Sequence, residues 1–147
     1  MASAMPLPNL ELRRTLDATP ERVFRAWTDL NQLRRWWGPG GFTLPEAEQD
    51  LRVGGAYRFG MRGPDGVTRW LRGEYREIRP PERLVFTWNW EADGDAAETV
   101  VSVQLFARGR QTEIVVTHGP FLTASSRDGH NLGWISTLDR LPGGLQS

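Results

Sequence analysis

Residues Arg34–Gly66 read RRWWGPGGFTLPEAEQDLRVGGAYRFGMRGPDG. The tandem Trp36-Trp37 closes a helix-like run and meets the breaker Gly38-Pro39-Gly40-Gly41. Extended segments follow, joined at Gly54-Gly55 and turned at Pro64-Asp65-Gly66. Within them Tyr57, Phe59 and Met61 alternate with Arg58, Gly60 and Arg62. A period of two puts the apolar set on one face of a strand. Two large aromatics beside a breaker suggest a lid-like corner over an apolar interior.

Upstream, Leu10, Leu12 and Leu16 mark a first strand, with Arg13 and Arg14 outward. Thr19-Pro20 opens a helix whose apolar face is Val23, Phe24 and Trp27. Asp29 caps a second short helix carrying Leu30, Leu33, Trp36 and Trp37. Downstream, Leu71, Gly73 and Tyr75 alternate with Arg72, Glu74 and Arg76. Leu84, Phe86, Trp88 and Trp90 share one face of the next strand. Val101, Val103 and Leu105 follow on another, and Ile114, Val116 and His118 on the last. Turns are expected at Pro80-Pro81-Glu82, Asp93-Gly94-Asp95 and Arg108-Gly109-Arg110.

The C-terminal segment reads as a helix capped by Ser125 or Ser126, with His130, Trp134, Leu138 and Leu141 on one face. Gly129 and Gly133 are expected to let it approach the sheet closely. The expected class is α+β, a curved antiparallel sheet of about six or seven strands wrapped around a long C-terminal helix, with two short helices after the first strand. A gap between sheet and helix would be a pocket. Residues 9–141 make a single domain in this reading, and 1–8 and 142–147 are loose tails.

Composition narrows the function classes. The 147 residues hold 18 basic and 18 acidic side chains and no cysteine. Zero net charge argues against a general nucleic-acid or acidic-membrane binder. Disulfides, thiolate catalysis and Cys-ligated metal are excluded. The N-terminus shows no signal-peptide pattern and no apolar run is long enough to span a bilayer, so a cytoplasmic location is expected. Seven tryptophans are the unusual count. Trp36, Trp37, Trp70, Trp88, Trp90 and Trp134 could line an aromatic pocket or serve as plain core.

Taken together, these residues resemble the SRPBCC superfamily, the START and birch-pollen-allergen helix-grip fold. The resemblance is to the branch named for homology to the activator of the heat-shock protein 90 ATPase. It rests on Thr19-Pro20-Glu21-Arg22-Val23-Phe24 with Trp27 and Asp29, on Trp36-Trp37-Gly38-Pro39, and on Asp50-Leu51-Arg52-Val53-Gly54-Gly55 with Tyr57. Gly73-Glu74-Tyr75, Pro81-Glu82-Arg83-Leu84-Val85-Phe86-Thr87, Thr117-His118 and His130-Asn131-Leu132-Gly133-Trp134 continue it in order. The resemblance implies a hydrophobic cavity between sheet and helix that takes lipids, sterols, polyketides or other apolar molecules. Some relatives cyclise polyketides, and the eukaryotic namesakes stimulate a chaperone ATPase.

The expected function is therefore binding of a small hydrophobic or aromatic molecule without catalysis. Trp37, Tyr57, Phe59, Met61, Tyr75, Phe86, Trp88, Trp90, Val103, Ile114, Val116, Trp134 and Leu138 would line the cavity, with His118 as polar anchor and His130 nearby. The structural alternative for His118, a bond to a neighbour on the helix, carries more weight than a general base. Two histidines lack the third ligand of a metal site, and no cofactor is implied. Glu74 is expected on a solvated ion-pair face. The alternatives are a cyclase-like enzyme, with His118 or Tyr75 moving a proton, and a chaperone-cofactor or regulator-associated domain. A chaperone partner is disfavoured by the single short domain. A homodimer is conceivable if Trp36-Trp37 are exposed.

Overall fold

Local signals start the chain as expected in the computed structural model, which describes residues 7–92 and 98–145. The Thr19 hydroxyl accepts from the Arg22 amide at 3.4 Å and Pro20 takes the first turn, opening α1 (Pro20–Thr28). Asp29 ends that helix and caps α2 (Leu30–Leu33), its carboxylate accepting from the Asn31 and Gln32 amides.

Among the described residues seven strands form one sheet: β1 (Leu10–Leu16), β2 (Thr43–Gln49), β3 (Ala56–Arg62), β4 (Thr68–Arg79), β5 (Arg83–Trp90), β6 (Thr99–Arg108) and β7 (Gln111–Gly119). Their order is β1-β7-β6-β5-β4-β3-β2 and every neighbouring pair is antiparallel. The long helix α3 (Ala124–Gly144) packs on the apolar face. This is the α+β helix-grip architecture. The Asp93-Gly94-Asp95 turn lies outside the described residues.

The period-2 pattern sorts the two faces of the sheet. Tyr57, Phe59, Leu71 and Tyr75 are buried inside, as are Phe86, Trp88, Val103 and Val116. Gly73 shares that face because the Tyr57 ring lies across it. A Cβ there would stand 2.5 Å from Tyr57 Cε1 and 2.1 Å from the Thr87 carbonyl oxygen. The Tyr57 hydroxyl donates to that same carbonyl. On the outer face Glu74 is exposed and pairs with Arg76 at 3.5 Å, the solvated ion-pair face expected of it. Trp70 also stands there, 3.9 Å beneath the Arg58 guanidinium carbon, with its ring over Gly60. It therefore leaves the set of pocket tryptophans, because its strand position has the opposite parity to Leu71.

Three further expectations change. Trp36 and Trp37 form no exposed corner. They are 0 % and 3 % exposed, and Trp36 Nε1 donates to the Ala26 carbonyl at 3.1 Å. They also offer no aromatic surface to a second subunit. The cap of α3 is Thr123, whose hydroxyl accepts from the Ser126 amide at 3.0 Å; Ser125 and Ser126 fall inside the first turn. Finally, 142–145 is no loose tail. The helix runs through Pro142 to Gly144, and Leu145 is buried. Tertiary contacts hold this last turn. Trp36 packs so closely on Gly144 that a Cβ would meet its ring at 2.6 Å, and Arg22 donates to the Leu145 carbonyl.

Deleting residues 142–147 should lower unfolding stability by roughly 2 kcal/mol, from lost apolar burial and one charge-assisted hydrogen bond. Urea unfolding of the truncated chain checks this. An unchanged midpoint would mean the segment is a tail after all.

Candidate functional site

A cavity of about 380 Å³ lies between α3, the loop after α2 and the ends of β3, β4 and β5. The loop contributes Trp37, Gly38, Pro39 and Phe42. Met61 and Arg69, register partners across β3 and β4, form one end. Trp88 and Trp90 come from β5. From α3 come Trp134, His130 and Thr137, with Ser125, Ser126, Gly129 and Gly133 nearer its start.

The helix glycines act differently from expectation. A Cβ at Gly129 would meet nothing within 4 Å, and one at Gly133 would meet only Pro39, at 3.9 Å. They do not bring α3 onto the sheet. They leave room on the side of the helix that faces the cavity.

The loop wall is fastened from the same helix. Arg140 Nη1 gathers the carbonyls of Gly38, Pro39 and Phe42 at 2.8, 3.0 and 3.1 Å. One turn earlier the Ser136 hydroxyl accepts from the Gly40 amide at 2.7 Å. Backbone that would otherwise need water thus finds partners on α3.

Two indole–imidazole hydrogen bonds join helix to sheet. Trp134 Nε1 on α3 donates to His118 Nδ1 on β7 at 3.0 Å. Trp90 Nε1 on β5 donates to His130 Nε2 on α3, also at 3.0 Å. The acceptor role assigns the tautomers. His118 carries its proton on Nε2, 2.7 Å from the Thr99 hydroxyl, and His130 carries its proton on Nδ1, 2.8 Å from the Ser126 carbonyl. Both imidazoles are thereby engaged at both nitrogens. Burial, with a smaller push from His130, holds His118 down to about 3.

The structure brings Trp37, Met61, Trp88, Trp90, His130 and Trp134 together on the cavity wall. His118 lies behind it, packed on Trp88 at 4.9 Å between ring centroids, and is a structural histidine bonded to a helix neighbour. Tyr57, Phe59, Tyr75 and Phe86 pack with Trp27 and Leu33 around a remnant void of about 10 Å³. The Tyr75 hydroxyl donates to Gln49 Oε1 at 2.6 Å, and burial raises its pKa. Val103, Ile114, Val116 and Leu138 fill the core.

Sequence reasoning missed Phe42, Arg69, Thr137 and the fastening by Arg140. Arg69 had a usable signal, since it shares the parity of Leu71, Gly73 and Tyr75 rather than that of Arg72 and Glu74. Arg140 had none, because its partners are carbonyls of a loop 98 to 102 residues away. Among the described residues no three His, Cys, Asp or Glu side chains gather as a metal would need. Among those residues, too, no helix is long and apolar enough to cross a membrane.

The family described as Activator of Hsp90 ATPase homolog 1-like protein matches residues 17–146, and the chain belongs to it. Its fold is of the SRPBCC type. A protein from Chromobacterium violaceum is 28% identical, with TM-score 0.86, covering 95% of this chain and 97% of that one. The AHSA1 protein from Silicibacter pomeroyi is 27% identical with TM-score 0.83, over 94% and 97% of the two chains. A protein from Rhodobacter sphaeroides is 30% identical with TM-score 0.78, over 93% and 88%. No curated protein matches.

His118 gives a pH signature. Its folded pKa lies below its unfolded value near 6.5, so the unfolded chain takes up the proton first. Its contribution is fully present above pH 6.5 and is lost as pH falls toward 3, by up to about 1.4 kcal/mol per unit. Urea midpoints at pH 7.5 and 5 should fall more steeply for the wild type than for His118→Gln. Parallel falls would show that His118 is not the buried neutral group.

Proposed function

We propose that the protein binds a small apolar or aromatic molecule in the cavity between α3, the Gly38–Phe42 loop and the sheet. The observation that carries this reading is the open volume itself. Here about 380 Å³ is bordered by Trp37, Trp88, Trp90, Trp134, Phe42 and Met61. That volume falls in the range of small-molecule pockets, about 300–1,000 Å³. Gly129 and Gly133 keep the helix side of the cavity clear, and Arg140 holds the loop side in place. A wall fixed in advance loses little freedom on binding.

Binding without turnover is the favoured form. His118 sits behind the wall, His130 is engaged at both nitrogens, and Tyr75 bonds to Gln49 away from the cavity. None of the three is poised to move a proton on a bound molecule. The cyclase and chaperone alternatives have no comparable observation behind them. A cytoplasmic location is part of the same proposal.

The neutral fluorophore 1-aminoanthracene tests it. Saturable binding at one site per chain is expected, visible as a fluorescence rise and as a 1:1 adduct in native mass spectrometry. Gly133→Leu should weaken that binding about tenfold or more, by placing a side chain where the wall now has none. It should not lower the urea midpoint, because Leu is a better helix former than Gly by about 1 kcal/mol. Unchanged binding in a folded Gly133→Leu protein would remove the cavity from the function.

A further inference from the structure

One charged side chain stands on the cavity wall and the proposed apolar ligand does not use it. β4 places Arg69 on the inner face, at the parity of Leu71, Gly73 and Tyr75, which are otherwise apolar or small. No Asp or Glu lines the cavity among the described residues. Arg69 is therefore the only arginine, lysine or carboxylate side chain facing this space in that set.

From this we infer that the ligand is an aromatic carboxylic acid, its rings among the tryptophans and its carboxylate on Arg69. The inference rests on the binding function proposed above and adds the charge and class of the ligand.

The arginine has capacity to spare. Its Nη2 meets Asp65 Oδ2 at 3.2 Å, and among the described residues the guanidinium makes no other hydrogen bond. Five N–H donors in a planar fork match a carboxylate edge to edge. Both Arg69 and Asp65 are about half exposed, at 47% and 51%. An exposed pair of this kind contributes little, so sharing or displacing it is cheap. Asp65 is itself held as an anion, its carboxyl kept below the usual range by the Val67 amide and then by Arg69.

Asp65 competes for the same guanidinium, and the apolar wall works in the ligand's favour. An aromatic body filling the cavity would shield the new ion pair from water on one side, which strengthens it. Ser125 and Ser126, in the first turn of α3, border the same space and can donate from their hydroxyls. The wall as a whole is amphipathic, with flat apolar faces and one fixed cation at the β3–β4 end.

A matched probe pair separates charge from shape: 2-naphthoate and the neutral 2-naphthamide, titrated by calorimetry at pH 7. Naphthoate should bind the wild type about tenfold tighter than naphthamide, and the ratio should shrink as salt is added. In Arg69→Gln the two constants should come within about threefold of each other. In Asp65→Asn, which removes the competing carboxylate, the ratio should widen. Circular dichroism and urea midpoints confirm that both variants fold. Equal binding of the two probes by the wild type, or a preference surviving Arg69→Gln, would overturn the acid anchor and leave the apolar binding function standing. Failure of both probes, together with 1-aminoanthracene, would overturn both.

Discussion

The side chain of Trp134 ties the long helix to the sheet, and the rest of the structure is arranged around that contact. Its ring lies 5.9, 5.7 and 5.6 Å from those of Trp27, Trp37 and Trp88. Its nitrogen donates to His118. Aromatic pairs of this kind contribute about 1 kcal/mol each beyond the area they bury, and an indole N–H left unpaired in the interior would cost about 1–3 kcal/mol. One residue thus links α1, the loop, β5 and β7 to α3. His118 is buried because this link needs a neutral acceptor in the right place, and its loss of basicity follows.

Grip at one end of the helix permits a gap at the other. From Trp134 onward α3 buries Leu138, Leu141 and Gly144. Before Trp134 it presents small residues, Ser125, Ser126, Gly129 and Gly133, to the cavity. The helix is a single rigid rod, so anchoring its second half also positions its first. The Gly38–Phe42 loop is drawn to the anchored half by Ser136 and Arg140, and so forms the facing wall. Packing and emptiness are thereby made by the same element. A filled core confers stability in one half, and missing side chains leave room for another molecule in the other.

Much of this was legible in the residues. Tyr57-Phe59-Met61 and Phe86-Trp88-Trp90 announce their faces by alternation, which depends only on strand geometry. Thr19-Pro20 and Asp29 announce helix starts by local capping chemistry. The errors occurred where local rules compete with distant contacts. Trp36-Trp37 beside a breaker looked exposed, yet α1 and α3 cover both. Pro142-Gly143-Gly144 looked like a stop, yet Trp36 and Arg22 hold the turn. Gly129 and Gly133 looked like contact points, yet a Cβ at Gly129 would meet nothing within 4 Å and one at Gly133 only Pro39.

By itself the sequence determined the element order and the apolar faces of β3, β5, β6 and β7, because these follow from patterns that recur within a few residues, while the family entered through the resemblance of motifs spread along the chain. Tertiary structure alone decided which inward residues close into core and which face the cavity. Tyr57, Phe86 and Trp88 carry the same sequence signal, yet Tyr57 and Phe86 pack to near closure and Trp88 stands on an open wall. The difference lies in the distance between helix and sheet at each point. That distance is set by side chains far apart in the chain, Trp134 with His118 and Arg140 with the loop, and no local pattern encodes it.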